Sequence, residues 1–219
     1  MQASGIFITG TDTGVGKTYI GSELCRILYT RGIPVQPRKP VESGCTPDSQ
    51  GLLIPEDANR YFAACNGSIP LQTICPWRFE TAVAPDYAAR LDGVNLKLQQ
   101  LENSCQVKTE EFLLVEGAGG FYSPIATDGL NADLAKSLNL PVLLVASDRL
   151  GTINQVLLTA NAIKQQGLKL AAVILNSLSA PETPLNNRES LADRMDCLIV
   201  EVSRNNMPDA DALASLALP

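Results

Sequence analysis

The chain has 219 residues, 45% of them apolar and 18% charged, a balance that suits one folded domain over 1–219 and counts against disorder. A net charge of −6 speaks against nucleic acid as a main partner, and the absence of histidine excludes Ser-His-Asp triads, Cys-His pairs and His-ligated zinc. The six cysteines lack Cys-x-x-Cys spacing and no basic leader or membrane-length apolar run is visible, so free thiols, a cytoplasmic location and no membrane partner are expected.

The first apolar run, Ile6-Phe7-Ile8, reads as a strand that enters the glycine-rich stretch Gly10-Thr11-Asp12-Thr13-Gly14-Val15-Gly16-Lys17-Thr18, followed by a helix over 18–30. Strand, glycine-rich turn and Lys-Thr opening a helix form a phosphate-binding loop. Glycines let backbone N–H groups approach phosphate oxygens, and the helix N-terminus favours negative charge. Lys17 is expected on the β- and γ-phosphates and the Thr18 hydroxyl on magnesium. The strict pattern wants glycine where Thr11 stands; the first glycine, Gly10, comes one residue early.

A short apolar stretch around Val35 leads to Arg38-Lys39-Pro40-Val41-Glu42-Ser43-Gly44, in which Lys39 alone would read as a solvated charge. Residues 43–68 read as loop with a short helix over 57–64, where Asp57 on spacing alone is a cap or surface carboxylate. Residues 69–89 read as irregular, an insertion over the sheet edge or active site. The run Phe112 to Val115 ends in Glu116, just before Gly117-Ala118-Gly119-Gly120. That places an acidic residue at a strand end facing a nucleotide, as in a Walker-B arrangement, and magnesium wants such hard oxygens.

A helix over 131–138, a strand over 142–145, a helix over 152–166 with Thr152 as a possible cap, and a strand over 172–175 complete the alternation. Continuous apolar runs suit strands buried on both faces. The expected fold class is therefore α/β, a doubly wound, mostly parallel sheet flanked by helices, P-loop NTPase-like, with its site beyond the carboxyl ends of strands. The tail from Met207 is rich in Ala and Leu without basic residues, so no membrane-binding helix is expected there.

Taken together, Gly10-Thr11-Asp12-Thr13-x-Val15-Gly16-Lys17-Thr18, Lys39-Pro40-Val41-x-Ser43-Gly44, Val115-Glu116-Gly117-Ala118-Gly119-Gly120 and Leu150-Gly151-Thr152-Ile153-Asn154 closely resemble dethiobiotin synthetases, in order and spacing, from about Ile6 to Asn176. The resemblance implies an ATP-dependent cyclo-ligase of biotin synthesis acting on 7,8-diaminononanoate and carbon dioxide or bicarbonate, with Mg2+. A carbamate on one amine attacks the γ-phosphate, and the second amine closes the cyclic urea from a carbamic-phosphoric anhydride. It further implies Lys39, Lys17 and Thr13 as catalytic residues. Thr13, Lys39 and Ser43 would bind substrate, and Thr18, Asp57 and Glu116 would hold metal. ATP would meet Gly14, Val15, Gly16, Lys17, Thr18, Tyr19, Asp57, Glu116, Gly117, Ala118, Gly119 and Asn176, the last reading the adenine edge. The family works as a homodimer, so Leu150, Gly151 and Asn154 of the partner subunit would bind the substrate's carboxylate tail.

Three positions depart from the family pattern. Asp86 replaces a usual histidine near the substrate, and Val200-Glu201-Val202-Ser203 stands where a Gly-x-Ile-Pro turn helps to hold the nucleotide. Gly14 stands where some members carry an acidic residue, which leaves it a backbone role. The competing reading is a ParA- or MinD-like ATPase switch. That class carries a further lysine early in the loop, where this chain has Thr11 and Asp12. A small GTPase is excluded by the lack of an Asn-Lys-x-Asp motif.

Overall fold

The apolar runs become neighbouring strands of one sheet. The computed structural model describes residues 4–177 and 185–203. Its first half runs β1 (Ser4–Gly10), α1 (Lys17–Thr30), β2 (Val35–Arg38), β3 (Val41–Ser43), β4 (Thr46–Pro47), β5 (Leu53–Ile54), α2 (Glu56–Ala64), α3 (Leu71–Ile74), β6 (Trp77–Phe79), α4 (Pro85–Leu91) and α5 (Leu98–Ser104). The second runs β7 (Phe112–Gly120), β8 (Pro124–Ala126), β9 (Gly129–Leu130), α6 (Asn131–Leu138), β10 (Val142–Ser147), α7 (Thr152–Gln165), β11 (Leu170–Ser177), α8 (Asn187–Ala192) and β12 (Leu198–Ser203).

The main sheet has six strands in the order β12-β11-β10-β1-β7-β2, all parallel. Both faces are covered, which is why the strand sequences do not alternate. On β10, Val142, Leu144 and Ala146 join one apolar cluster while Leu143 and Val145 join the other. On β1, Phe7 points to the first cluster and Ile6 and Ile8 to the second. Alternate side chains leave opposite faces of a strand, so a strand between two helical layers must be apolar throughout. The second face is closed by α1, whose buried Ile20, Leu24, Ile27 and Leu28 form a stripe at helical spacing, and by Ala58 and Tyr61 of α2.

After β1 the chain builds β2 and β7 on one side of it, then β10, β11 and β12 on the other. The carboxyl ends of β1 and β7 thus lie beside the reversal of strand order, where open α/β sheets form their crevice.

Two expectations are corrected, and one departure from the family pattern is placed. Residues 69–89 are ordered rather than irregular: they hold α3, β6 and the start of α4, and β6 pairs with β3 (Val41 opposite Trp77, Ser43 opposite Phe79). A three-residue strand buried beside a local partner leaves no periodic signature in sequence. Val200 to Ser203 is no turn but part of the edge strand β12, with Asn176 opposite Val202. Thr152 does not cap α7; Gly151 stands at that position, and the Thr152 hydroxyl instead donates to the Ser147 carbonyl and accepts from the Arg149 N–H, bracing the preceding loop. The tail from Met207 lies outside the described residues.

Leu144 is wholly buried between Thr9 and Val173 of the neighbouring strands. Leu144→Ala is expected to lower unfolding free energy by about 3 kcal/mol through lost transfer energy and a cavity. The exposed Leu52→Ala should stay within about 0.5 kcal/mol of the parent. Urea midpoints measured at constant slope check both.

Candidate active site

The loop after β1 is built by close packing as much as by backbone freedom. A side chain at Gly10 would come within 2.7 Å of Val15 Cγ2 and 2.9 Å of the Asp12 carbonyl, so the early glycine is what lets the loop fold back on its strand. Gly16 adopts φ +97° immediately before α1, a conformation that glycine takes without a Cβ penalty. Lys17 reaches back along the loop and donates to the Asp12 carbonyl at 2.9 Å.

Lys39 leaves β2 at the junction with β3 and is 3% exposed, which overturns the reading of a solvated charge. Its ammonium donates to Glu116 Oε1 at 2.6 Å and to the Gly117 carbonyl at 3.2 Å, and it pairs with Asp57 Oδ2 at 3.0 Å. Glu116 Oε1 also accepts from the Thr18 hydroxyl at 2.9 Å, and Oε2 accepts from the Tyr61 hydroxyl at 2.6 Å. Four elements thereby meet at one carboxylate: α1 through Thr18, the β2–β3 junction through Lys39, α2 through Tyr61 and β7 through Glu116 itself.

Lys17, Thr18, Lys39, Asp57 and Glu116 line a cleft of about 690 Å³ together with Thr13, Gly14, Gly16, Tyr19, Ser43, Ala118 and Gly119. Sequence reasoning did not single out Glu42, Arg60, Ser123, Ala82 or Val83, which complete the wall with Ala84 and Pro85. Ser43 donates to the Val83 carbonyl at 2.6 Å, tying that segment over the cleft as the insertion reading foresaw, and its oxygen keeps lone pairs for an amine donor. The glycine-rich turn after Glu116 is held by Asn131, also unremarked in the sequence. Its buried amide accepts from Ala118 N–H at 2.9 Å and donates to the carbonyls of Ala118, Gly120 and Ser123.

Other expected residues stand elsewhere. Val15 and Gly117 lie behind the wall. Asn176 is buried, and its amide nitrogen donates to the Val15 carbonyl at 2.9 Å, which braces the phosphate loop and leaves the amide oxygen as an acceptor. Leu150, Gly151 and Asn154 are exposed at the start of α7, away from their own chain's cleft. Asp86 is paired with Arg90 at 3.3 Å on α4 and does not line the cleft.

The comparisons bear on this geometry. A family model described as an AAA domain matches residues 4–203. Three curated relatives carry the name ATP-dependent dethiobiotin synthetase BioD. The one from Ruthia magnifica is 37% identical over 93% of this chain and 92% of its own. That from Cellvibrio japonicus is 39% identical over 98% and 96%, and that from an Anaeromyxobacter strain is 41% identical over 82% and 79%. The chain belongs to the dethiobiotin synthetase family. Among solved structures, the septum site-determining protein MinD of Pyrococcus horikoshii, complexed with Mg-ADP, superposes with TM-score 0.59 at 16% identity, covering 99% of this chain and 95% of that one. Chloroplast FtsY of Physcomitrella patens gives 0.51 at 16%, covering 100% and 66%. At such identities the likeness shows the P-loop NTPase fold alone, so the MinD match lends no weight to a switch ATPase.

The family resemblance implies magnesium, and the donors present fit it. Thr18, Asp57 and Glu116 offer hard oxygens around a single point, where Lys39 now supplies the positive charge. No group of three or more His, Cys, Asp or Glu side chains suited to a metal occurs among the described residues. Magnesium binds through one or two carboxylates and the phosphates of its nucleotide.

Charge states follow from the packing. Burial tends to lower the Lys39 pKa, but Glu116 and Asp57 outweigh it and hold the ammonium above the ordinary lysine range. Burial likewise opposes ionised Asp57, yet Lys39 beside it keeps this carboxyl below the usual range. For Tyr61, burial and then the Glu116 charge keep the phenol protonated, hence a donor. Glu42 is pushed up to about 7, mainly by burial, although its carboxylate accepts the Asp57 and Ala58 N–H groups.

Lys17 is pushed down to about 8, chiefly by burial, with Lys39 adding to the effect and Glu116 opposing it. Bound polyphosphate favours the ammonium, so its pKa must rise on binding, and nucleotide binding near pH 9 should take up a proton. Affinity for ADP should accordingly fall as pH rises above about 8. Calorimetry in two buffers of different ionisation enthalpy tests this; binding heats that do not depend on the buffer would refute it.

Proposed function

We propose that this chain closes a cyclic urea on 7,8-diaminononanoate, using carbon dioxide and ATP, as an ATP-dependent ligase of biotin biosynthesis. Family membership over more than nine-tenths of the chain supports the ligase. The observation that carries the chemistry is the convergence, on one cleft, of the phosphate loop, the Thr18, Asp57 and Glu116 oxygens, and Lys39.

The reaction brings an anionic carbamate to the anionic γ-phosphate. Lys17 lies along the phosphate loop and Lys39 beside the carboxylates, so both can oppose the repulsion and stabilise charge that grows in phosphoryl transfer. Thr13 and Ser43 flank the cleft as hydrogen-bonding groups for the carbamate and diamine. Thr18, Asp57 and Glu116 would hold Mg2+, which when bound offsets the charge of phosphate oxygens. Gly14, Gly16, Tyr19, Ala118 and Gly119 would contact the nucleotide from the walls, while Val15, Gly117 and Asn176 support it from behind. The chain acts as one domain, with strands of the main sheet drawn from residue 4 to 203. Six free thiols fit a cytoplasmic setting, and no described helix is long and apolar enough to cross a membrane.

Phosphate release from ATP and Mg2+ should depend on both diaminononanoate and bicarbonate; turnover indifferent to the diamine would overturn the ligase reading. Lys39→Met should lower kcat by about 100-fold. It should also destabilise the metal-free protein on the order of 3 kcal/mol, because Glu116 is left charged and buried; Asp57, more than a third exposed, adds little. Circular dichroism on the folded variant separates the two effects.

In the same reading the chain is a homodimer in which Leu150, Gly151 and Asn154 of the partner subunit reach the substrate's carboxylate tail. The support is their position: Leu150 is 86% exposed, Gly151 and Asn154 are exposed as well, and none of the three lines its own chain's cleft. Asn154→Ala is expected to raise the diamine KM several-fold with kcat little changed, and sedimentation to show a dimer. A fully active monomer would refute this arrangement.

A further inference from the structure

Tyr61 lies outside every motif that marks the cleft, yet its hydroxyl makes one of the shortest contacts there. The side chain is 0% exposed, and its hydroxyl donates to Glu116 Oε2 at 2.6 Å. The other carboxylate oxygen, Oε1, takes Thr18 and Lys39. The two oxygens are therefore divided: Oε1 serves the cleft, and Oε2 is gripped from the helical layer behind it. Glu116 is itself 1% exposed, so without the phenol Oε2 would be buried and unsatisfied, and the carboxylate would gain from turning away.

Two further features fix the phenol. Helix α2 begins after Pro55 with no side-chain cap of its own, and the Glu42 carboxylate supplies the missing acceptors, taking Asp57 N–H at 2.9 Å and Ala58 N–H at 3.1 Å. On α1, a side chain at Gly21 would lie 2.0 Å from the Tyr61 hydroxyl oxygen, a distance at which the hydroxyl would have to leave its place. The bare face of α1 at Gly21 is thus reserved for that hydroxyl. Asp57 and Tyr61 are four residues apart, on one face of α2, so a single helix carries one cleft carboxylate and the grip on the other.

We propose that Tyr61 is a positioning residue for the reaction, setting the orientation of Glu116 toward the cleft through a site made by Gly21. The inference rests on the assignment of Thr18, Asp57 and Glu116 to the metal. Hydrogen-bond partners of metal-bound carboxylates commonly contribute about 10–100-fold to metal affinity or activity.

The test uses Tyr61→Phe, which keeps the ring and removes the hydroxyl, and reads Mn2+ binding in the presence of ADP by electron paramagnetic resonance. The apparent Mn2+ dissociation constant should rise about 10-fold while metal-free ADP affinity and the diamine KM hold, and kcat should recover in part at high metal. A merely structural role would lower thermal stability and leave the Mn2+ titration unmoved, and that result would overturn the proposal. Gly21→Ala, which displaces the hydroxyl from α1 without altering Tyr61, should give the same Mn2+ shift; it decides the matter if Tyr61→Phe does not fold. Glu116→Gln separates the two readings. If it weakens Mn2+ binding and the other two variants do not, only the role of Tyr61 is lost. If it leaves Mn2+ binding intact, the metal assignment fails and the proposal with it.

Discussion

An ammonium group with almost no access to water is held between two carboxylates, and the positions of the surrounding elements are tied to that contact. Lys39 could not remain charged in the interior alone, because the desolvation cost of a lone ion exceeds what packing offers. Glu116 and Asp57 make the charge tolerable, and each comes from a different part of the chain: β7, between β1 and the edge strand β2, and the first turn of α2. The contact binds the β2–β3 junction, the sheet and the helical layer into one unit. A shift of any of them leaves a buried charge unpaired, so electrostatics here penalises misplacement in addition to apolar packing.

The sheet makes such an arrangement possible. Glu116 follows the alternation of Phe112 to Val115, and that alternation turns its side chain to the face covered by α1 and α2. The phosphate loop leaves β1, the strand next to β7, and Thr18 lies in the first turn of α1 on the same face. Local rules therefore place the loop, the carboxylate and the hydroxyl together before any specific bond forms. Asn131 then shapes the turn after Glu116 by taking up backbone groups that a glycine-rich segment cannot satisfy within itself.

This division explains what could be read from the sequence. The phosphate loop, Glu116 and four strands were legible because each is a contiguous pattern with a physical signature: an apolar run, a glycine turn, a helix start. Lys39 and Asp57 had only bland readings on their own, and family resemblance raised them. Glu42, Tyr61 and Asn131 were invisible because what they do depends on partners 15, 55 and 13 residues away, brought near by the fold. Asn176 has a second task that the resemblance did not suggest: its amide nitrogen holds the Val15 carbonyl of the phosphate loop, 161 residues away in sequence. The strand β12 was missed because it is an edge strand, half exposed, and so lacks the unbroken apolar run of its neighbours.

The charges on the cleft wall lead one step further. Lys17, Lys39 and Arg60 stand against Glu42, Asp57 and Glu116, so the basic and acidic side chains are equal in number. Lys39 is committed to its carboxylates, and Lys17, lowered to about 8 by burial, stays mostly protonated near neutral pH. Such a wall is too balanced to attract a triphosphate and a carbamate together by side-chain charge. It is, however, well made to exchange one cation for another. Asp57 and Glu116, whose oxygens share the Lys39 ammonium, would hold a divalent ion together with the Thr18 hydroxyl bound to Glu116, and with the carboxylates so engaged Lys39 would be available to the carbamate. On this view the paired lysine is a stored charge, kept in place by the same carboxylates that the metal would occupy. The rigidity that α2 gives Asp57 and Glu116 is then what makes the exchange a choice between two defined arrangements.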